Sequence, residues 1–369
     1  MFRNIWFWIA ILIIAAGFAL TAALGLFYWL VIALALVALM FAVAFLVAAF
    51  SVGRAEMPNV PILEKIPHSE RIPVIYDGDV TLGFPFRDVG GGLALLYLLG
   101  EPRVHVHTVT VTYGSGSVET CMRATRRLLA AIEYDSLPVL PGADGPTAAP
   151  GTNQAALRLV DVAASMPGEL VVIATGSMTN LRHAAALDPE FFGKLRGLYL
   201  WGGVTEPLIW KGHHIAEGNF SVDPQAAYAV LHADCPLTVA TGQTGLSAVF
   251  RRRQFAALQM MDGPVSRLIA RKIRSWFAWT RLWFGDGGFI LGDSTAALAL
   301  VHPEIFDAEQ VYVTSTPDDL RSGRLYVDPS EYGPVRLMRR VQDSDEFIVI
   351  HFAAWKHLEQ LVEIRKGNI

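Results

Sequence analysis

Cysteine is nearly absent from this chain: Cys121 and Cys235 are the only two in 369 residues. Two thiols so far apart build no disulfide framework and suit a reducing compartment. There is no basic excess either. Thirty Lys and Arg against 34 Asp and Glu leave a net charge of −4, so nothing points to a nucleic-acid-binding protein. No internal repeat is visible. The sharpest deficit is local, because from Ile5 to Phe50 there is no charged residue at all. A single helix of that length would run about 69 Å at 1.5 Å per residue. A bilayer's hydrocarbon core is only about 30 Å thick, or about 20 residues. The expectation is therefore two membrane helices, near 5–23 and 27–50, joined by a tight turn near Gly25. A signal peptide is excluded by length, since its apolar core is about 7–15 residues. Arg3 and Arg54 flank the hairpin and Lys65 follows, which by the positive-inside rule puts both ends in the cytoplasm. The reading is an integral membrane protein with a cytoplasmic soluble domain: a hairpin over 1–52, a linker over 53–72 with Pro58, Pro61 and Pro67, and one domain over 73–369.

Past the linker, strand-like and helix-like runs alternate. Val74–Tyr76, Val104–Thr112, Leu170–Thr175 and Leu195–Leu200 read as strands, and Glu119–Tyr134 reads as a helix. Further strands are expected near Val311–Thr316 and Phe347–Phe352, before a charged C-terminal helix. Alternation with apolar strands implies an α/β fold, a mainly parallel sheet with flanking helices. Ligands of such sheets sit outside the C-terminal strand ends. Asp77 and Asp79 fall at one such end, and the Gly176 and Gly202 turns fall at others. Two carboxylates there suit a metal ion or a bound sugar, or form a structural pair held by loop amides. A basic, aromatic stretch over 251–284 has two readings. It lies against an anionic membrane surface, or it is a solvated helix covering the active-site region with its Trp residues packed inward.

Several segments, in order, resemble landmarks of the inosine-uridine preferring nucleoside hydrolases. Asp77-x-Asp79 is similar to the family's opening Asp-x-Asp. Thr110–Gly114 resembles a segment ending Gly-Asn, with Ser115 in place of the Asn. Leu137–Gly142 (LPVLPG) resembles VPVYxG, and Ala174–Asn180 (ATGSMTN) resembles ATGPLTN. Trp201-Gly202-Gly203 looks like a Met-Gly-Gly turn. Ala216–Ala227 (AEGNFSVDPQAA) resembles AEFNxxxDPEAA, and Gly292–Ala299 with His302-Pro303 resembles HDPLAVA and its downstream His-Pro.

The resemblance implies hydrolysis of a ribonucleoside's N-glycosidic bond, with calcium holding the attacking water and the ribose diol. Asp79 would be the general base and a metal ligand. Asp77 and Asp293 would be further metal carboxylates, and Thr175 would offer its carbonyl. Glu217 and Asn219 would bind ribose hydroxyls, and Trp201 would stack on the base. Asp223, before Pro224, reads as a turn or helix cap.

The departures are as informative. Gly90-Gly91 stand where the family has an Asp-Asp pair, so the calcium ligand set is incomplete. Asp88, just upstream after a lengthened loop, is a substitute ligand, a surface residue or a helix cap. Gly292 stands where the leaving-group His is expected, which leaves His213 or His214 as the replacement acid. Lys211 lies where a ribose-contacting Asn is expected. The run Gly90–Gly92, opening a helix, also suits a phosphate. Two functions follow as expectations. One is a membrane-anchored hydrolase of a nucleoside or related N-riboside, with the bilayer as partner and homo-oligomers as in the family. The other is a pseudoenzyme that binds nucleosides or nucleotides, or serves as a membrane-tethered scaffold.

Overall fold

The structure, a computed structural model, describes residues 5–50, 56–285 and 288–367; the chain divides into two compact units, Met1–Ser51 and Val52–Ile369. The first unit holds one continuous helix, Ile5–Phe50. The turn expected near Gly25 does not form. A lone glycine costs a helix only about 1 kcal/mol relative to alanine, and no proline or polar turn residue stands beside it, so the helical hydrogen bonds run straight through. Phe27, Trp29, Met40 and Phe41 are among its exposed side chains. Phe27–Leu46 is long and apolar enough to cross a bilayer, the one such helix among the described residues. One continuous helix does not return its chain to the side it started from, so it does not carry the expected cytoplasmic placement of both ends; Arg3 and Arg54 themselves lie outside the described residues.

The second unit is built on β1 (Ile72–Gly78), β2 (Val104–Val111), β3 (Val139–Pro141), β4 (Val171–Ala174) and β5 (Gly197–Trp201). A hairpin follows, β6 (Ile209–Trp210) and β7 (His213–His214), then β8 (Leu237–Ala240) and the pair β9 (Val249–Phe250) and β10 (Phe289–Ile290). The last strands are β11 (Phe306–Val313), β12 (Val327–Pro329) and β13 (Val335–Val341). Nine of them form one sheet in the order β12-β11-β13-β8-β5-β4-β1-β2-β3. All pairings from β13 to β3 are parallel, and β11 joins β12 and β13 antiparallel. Alternate strand residues feed two cores. Val74, Tyr76, Val171 and Ile173 pack with helices Gly90–Gly100 and Ser344–Arg365. Ile75, Val172 and Ala174 pack with helices Gln154–Ser165 and Thr179–Leu187. The chain moves outward from β1 to β2 and β3, then returns to β4 on the other side. That reversal opens a crevice between the C-terminal ends of β1 and β4.

The strand expected at Phe347–Phe352 is instead inside the Ser344–Arg365 helix. A short apolar run does not distinguish a strand from a buried helix. Asp343 decides it, accepting from the amides of Asp345 and Glu346 as an N-cap.

His302, a family landmark in sequence, is structural. It joins Arg103 at 2.6 Å, while Arg103 grips the buried Glu101 through Nε at 2.7 Å and Nη2 at 3.1 Å. Burial pushes the Glu101 carboxyl up, but the hydrogen bonds of His302 and Arg103 outweigh it and hold the pKa at about 2. A depressed carboxylate stabilises the fold above its unfolded pKa and loses that contribution as pH falls toward the folded one. Glu101→Gln is expected to cost about 2–3 kcal/mol at pH 7. It is also expected to flatten the acid limb below the ordinary value of 4.5. Urea unfolding between pH 2 and 7 measures both; an unchanged acid limb would refute the assignment.

Candidate active site

β1 delivers Asp77 and Asp79 to the crevice, but to different places. Asp77 is fully buried, and its Oδ1 accepts from Thr110 Oγ1 at 2.6 Å and Asn180 Nδ2 at 2.8 Å. Burial pushes its carboxyl up to about 7. It is not among the residues lining the cavity, so the structure does not bring it together with Asp79 there; its Oδ2 is buried with no hydrogen-bond partner among the described residues. Asp79 does line the cavity. Its Oδ2 accepts from the Ser115 amide at 2.5 Å, and burial raises its pKa above the ordinary range. Gly114 (φ +154°) is required beside it, because a Cβ there would lie 2.4 Å from that same oxygen.

The cavity, about 260 Å³, is walled by Asp79, Asp88, Thr175, Trp201, Glu217, Asn219 and Asp293, among others. Asp88 reaches it from the loop after β1, with Oδ2 accepting from the Gly90 amide at 2.8 Å. It therefore takes up the first amide of the Gly90–Gly100 helix, whose N-cap residue is Val89, and faces the cavity at once. The same bond occupies the helix N-terminus, so the phosphate cradle expected at Gly90–Gly92 is already filled by a carboxylate. The glycines themselves make room. A Cβ on Gly90 would lie 2.2 Å from Asp293 Oδ2 and 3.1 Å from Asp88 Oδ2, and one on Gly92 would lie 2.3 Å from Leu82 Cβ. The space beside Gly90 is thus taken by the carboxylates of Asp293 and Asp88. Burial and the charge of Asp79 raise Asp88 to about 6. Burial, then the charges of Asp88 and Asp79, push Asp293 well above the carboxylate range. Burial is the main cause for all three carboxylates, and the charge of Asp79 adds to it at Asp88 and Asp293.

Thr175 follows β4. Its carbonyl accepts from Asn219 Nδ2 at 3.2 Å, and its Oγ1 meets the buried Tyr76 hydroxyl at 2.7 Å. Glu217 lines the cavity, but its carboxylate already accepts four backbone amides, from Gly203, Asn219, Phe220 and Ser221. That makes it the organiser of this loop before it is a ribose contact. Asn219 likewise commits its Nδ2, to the Thr175 and Trp201 carbonyls. Asp223 is the N-cap of the Pro224–Leu231 helix, as its sequence context suggests, and also accepts from Thr179.

His213 and His214 lie on the exposed hairpin β6–β7, and neither is on the cavity wall; the His213 ring packs edge-on against Phe284 at 5.2 Å. As placed, neither is a leaving-group acid. Lys211, in the hairpin turn at φ +51°, sits over the Trp210 ring. The missing histidine has a steric reason. A Cβ on Gly292 would lie 2.0 Å from Trp201 Cζ2, so the indole fills the space a side chain there would need. Trp201 and Gly292 form one exchange of large for small. Gly292→His is expected to destabilise by about 1–3 kcal/mol from overpacking. In a Trp201→Met background most of that loss should disappear, and thermal unfolding of the single and double variants measures the coupling. Additive losses would show that the two positions are independent.

Sequence reading missed the parts that hold these groups: Thr110 and Asn180 on Asp77, the Ser115 amide on Asp79, and Tyr76 beneath Thr175. Thr110 and Asn180 lay inside segments already singled out, but a hydrogen bond between residues 103 apart in sequence leaves no local pattern.

The structure is thus that of an α/β protein with an acidic cavity at the switch point of a mainly parallel sheet, the place where such folds bind ligands. The profile of the inosine-uridine preferring nucleoside hydrolases matches residues 85–349, and the chain belongs to that family. It is 26% identical over 289 residues to a pyrimidine-specific ribonucleoside hydrolase (RihA) of Klebsiella pneumoniae, covering 70% of this chain and 88% of that protein. The counterpart from Shewanella oneidensis is 25% identical over 284 residues, covering 69% and 86%. Among solved structures, a purine-preferring ribonucleoside hydrolase from Gardnerella vaginalis superposes with a TM-score of 0.67 at 18% identity, covering 78% of this chain and 99% of that one. An inosine-uridine preferring nucleoside hydrolase from Bacillus anthracis gives 0.61 at 16%, covering 78% and 99%. At those identities the structures show a shared fold.

Proposed function

We propose that this chain hydrolyses the N-glycosidic bond of a ribonucleoside or related N-riboside. The observation that carries the reading is the convergence of Asp79, Asp88 and Asp293 on one cavity beside the Thr175 carbonyl. Asp79 is the base. It is held by the Ser115 amide, and its raised pKa brings its basicity nearer to what removing a proton from water requires. The surrounding negative charge favours an oxocarbenium-like sugar. The Trp201 face is where the base would stack, with Glu217 and Asn219 shaping the ribose end.

The donor chemistry fits calcium, which takes carboxylate and carbonyl oxygens. Among the described residues no three acidic, His or Cys side chains are gathered tightly enough to grip a metal alone. A calcium ion would have to draw Asp79, Asp88 and Asp293 closer together, with the Thr175 carbonyl and water completing the set. When bound, the ion would orient the attacking water and lower its pKa. No histidine lines the cavity. Departure of the base then depends on its own acidity, and nucleosides with more acidic leaving bases should react faster.

The second reading, a pseudoenzyme, draws on Trp201 standing in place of the acid. One experiment separates the two: ribose release by the full chain in detergent from purine and pyrimidine nucleosides, with calcium and with chelator. Calcium-dependent release supports the hydrolase; a folded protein that releases nothing supports binding alone. Membrane anchoring through the Ile5–Phe50 helix is supported by its lack of charge and by the exposed apolar surface of Phe27–Leu46. Resistance of the membrane-bound chain to alkaline extraction tests it.

A further inference from the structure

The helix Pro264–Phe284 carries Arg267, Arg271, Lys272, Arg274 and Arg281 and no acidic residue. One face is core, with Val265, Ile269, Ile273 and Phe277 buried. Arg267, paired with Asp262, and Arg271 are exposed in its first turns, and Trp279 (38% exposed), Leu282 (41%) and Trp283 (58%) are exposed in its last two turns. The two indoles stack at 5.5 Å. Phe86, 53% exposed, joins them with its ring edge-on to Trp279 at 5.6 Å. Phe86 has φ +58°, a conformation that is strained for a non-glycine residue and holds the aromatic at the tip of its loop. A water-facing helix has no reason to present two tryptophans, a leucine and a phenylalanine together.

This helix also braces both rims of the cavity. Through Trp279 and Phe86 it supports the loop that ends in Asp88. Through Phe284 it packs on Trp210 at 4.7 Å and on His213 at 5.2 Å, both in the β6–β7 hairpin, whose flanks Leu208 and Ile215 line the cavity.

We infer that the Trp279–Trp283 end of this helix, with Phe86, docks the catalytic domain on an anionic lipid bilayer. Exposed aromatic side chains at one end of a helix that carries five basic residues and no carboxylate match the chemistry of an anionic headgroup interface. The same chain offers a reason for a bilayer to be at hand. It carries the uncharged Ile5–Phe50 helix, a short stretch of chain before Val60 and Leu63, which pack against the core of the domain. The inference rests on that helix being membrane-inserted.

The test uses the full chain in nanodiscs of phosphatidylcholine, with and without phosphatidylserine. A nitroxide is placed by Leu282→Cys in a Cys235→Ser background, and a second one at Tyr332→Cys, which is 85% exposed on another element. Collisions with oxygen and with a water-soluble nickel chelate report depth. The expected result is loss of nickel collisions and gain of oxygen collisions at 282 in phosphatidylserine discs, with 332 remaining in water. Arg267→Glu with Arg271→Glu should return the 282 label to water. A label at 282 that stays in water while the chain is inserted overturns the docking and leaves the tether standing. A chain that never enters the disc overturns both. Protection at 282 that appears in detergent and grows with protein concentration assigns the face to a second copy and overturns the bilayer.

Discussion

Asp79→Asn is expected to lower ribose release by about 10³-fold or more, with little loss of fold. General-base catalysis contributes about 10²–10⁴-fold, and Asp79 is also one of the carboxylates proposed for the metal. Asn is nearly isosteric and keeps an oxygen to accept from the Ser115 amide, so the loop around Gly114 has no steric reason to move. Removing one of three mutually repelling carboxylates should even ease the site in the metal-free protein. The check is kcat and KM for the best nucleoside, beside thermal unfolding with and without calcium. A variant that retains activity within about tenfold, above the scale of experimental scatter but below any general-base contribution, would remove Asp79 from the chemistry.

Asp88→Asn is expected to have the second-largest effect, and it separates two roles that the wild type combines. Asn accepts from the first amides of a helix as well as Asp does. The bond to the Gly90 amide should therefore survive, and stability should change by less than about 1 kcal/mol. Only the charge is lost. If Asp88 supplies the carboxylate that Gly90-Gly91 do not, calcium affinity and kcat/KM should fall by about 100-fold, at or beyond the scale seen when groups supporting a metal site are removed. Asp88→Ala should show the same catalytic loss plus about 1 kcal/mol from the missing bond. Calcium titration followed by thermal shift distinguishes these outcomes. Unchanged affinity in Asp88→Asn would leave Asp88 as the partner of that amide alone.

The strand ends were legible because each strand is a short apolar run that stops at a polar or glycine-rich turn, and parallel packing makes that pattern local. Asp79, Thr175 and Asp293 were legible for the same reason, since each sits in a segment with its own signature. Asp88 was visible as a candidate, but its role was not. Only the approach of Asp293 to Gly90 shows why a carboxylate arrives from the loop and not from the helix. Trp201 and Gly292 read as two unrelated departures until the indole is seen filling the glycine's empty side. The continuity of the helix at Gly25 and the helical state of Phe347–Phe352 were not legible, because apolar runs carry little directional information. In the first a continuous helix satisfies every backbone group, and in the second Asp343 starts one.

By itself, then, the sequence determined the alternation of elements, the family, the acidic ends of the strands and the uncharged opening stretch. These depend on periodicity and on residue types within a few positions of each other. Tertiary structure alone decided which carboxylates share a cavity, why two glycines replace acids, why the histidines of β7 stand outside the cavity, and that one arginine- and tryptophan-bearing helix braces both rims. Each of those depends on contacts between residues tens to hundreds of positions apart, where packing volume and charge, and not local pattern, set the outcome.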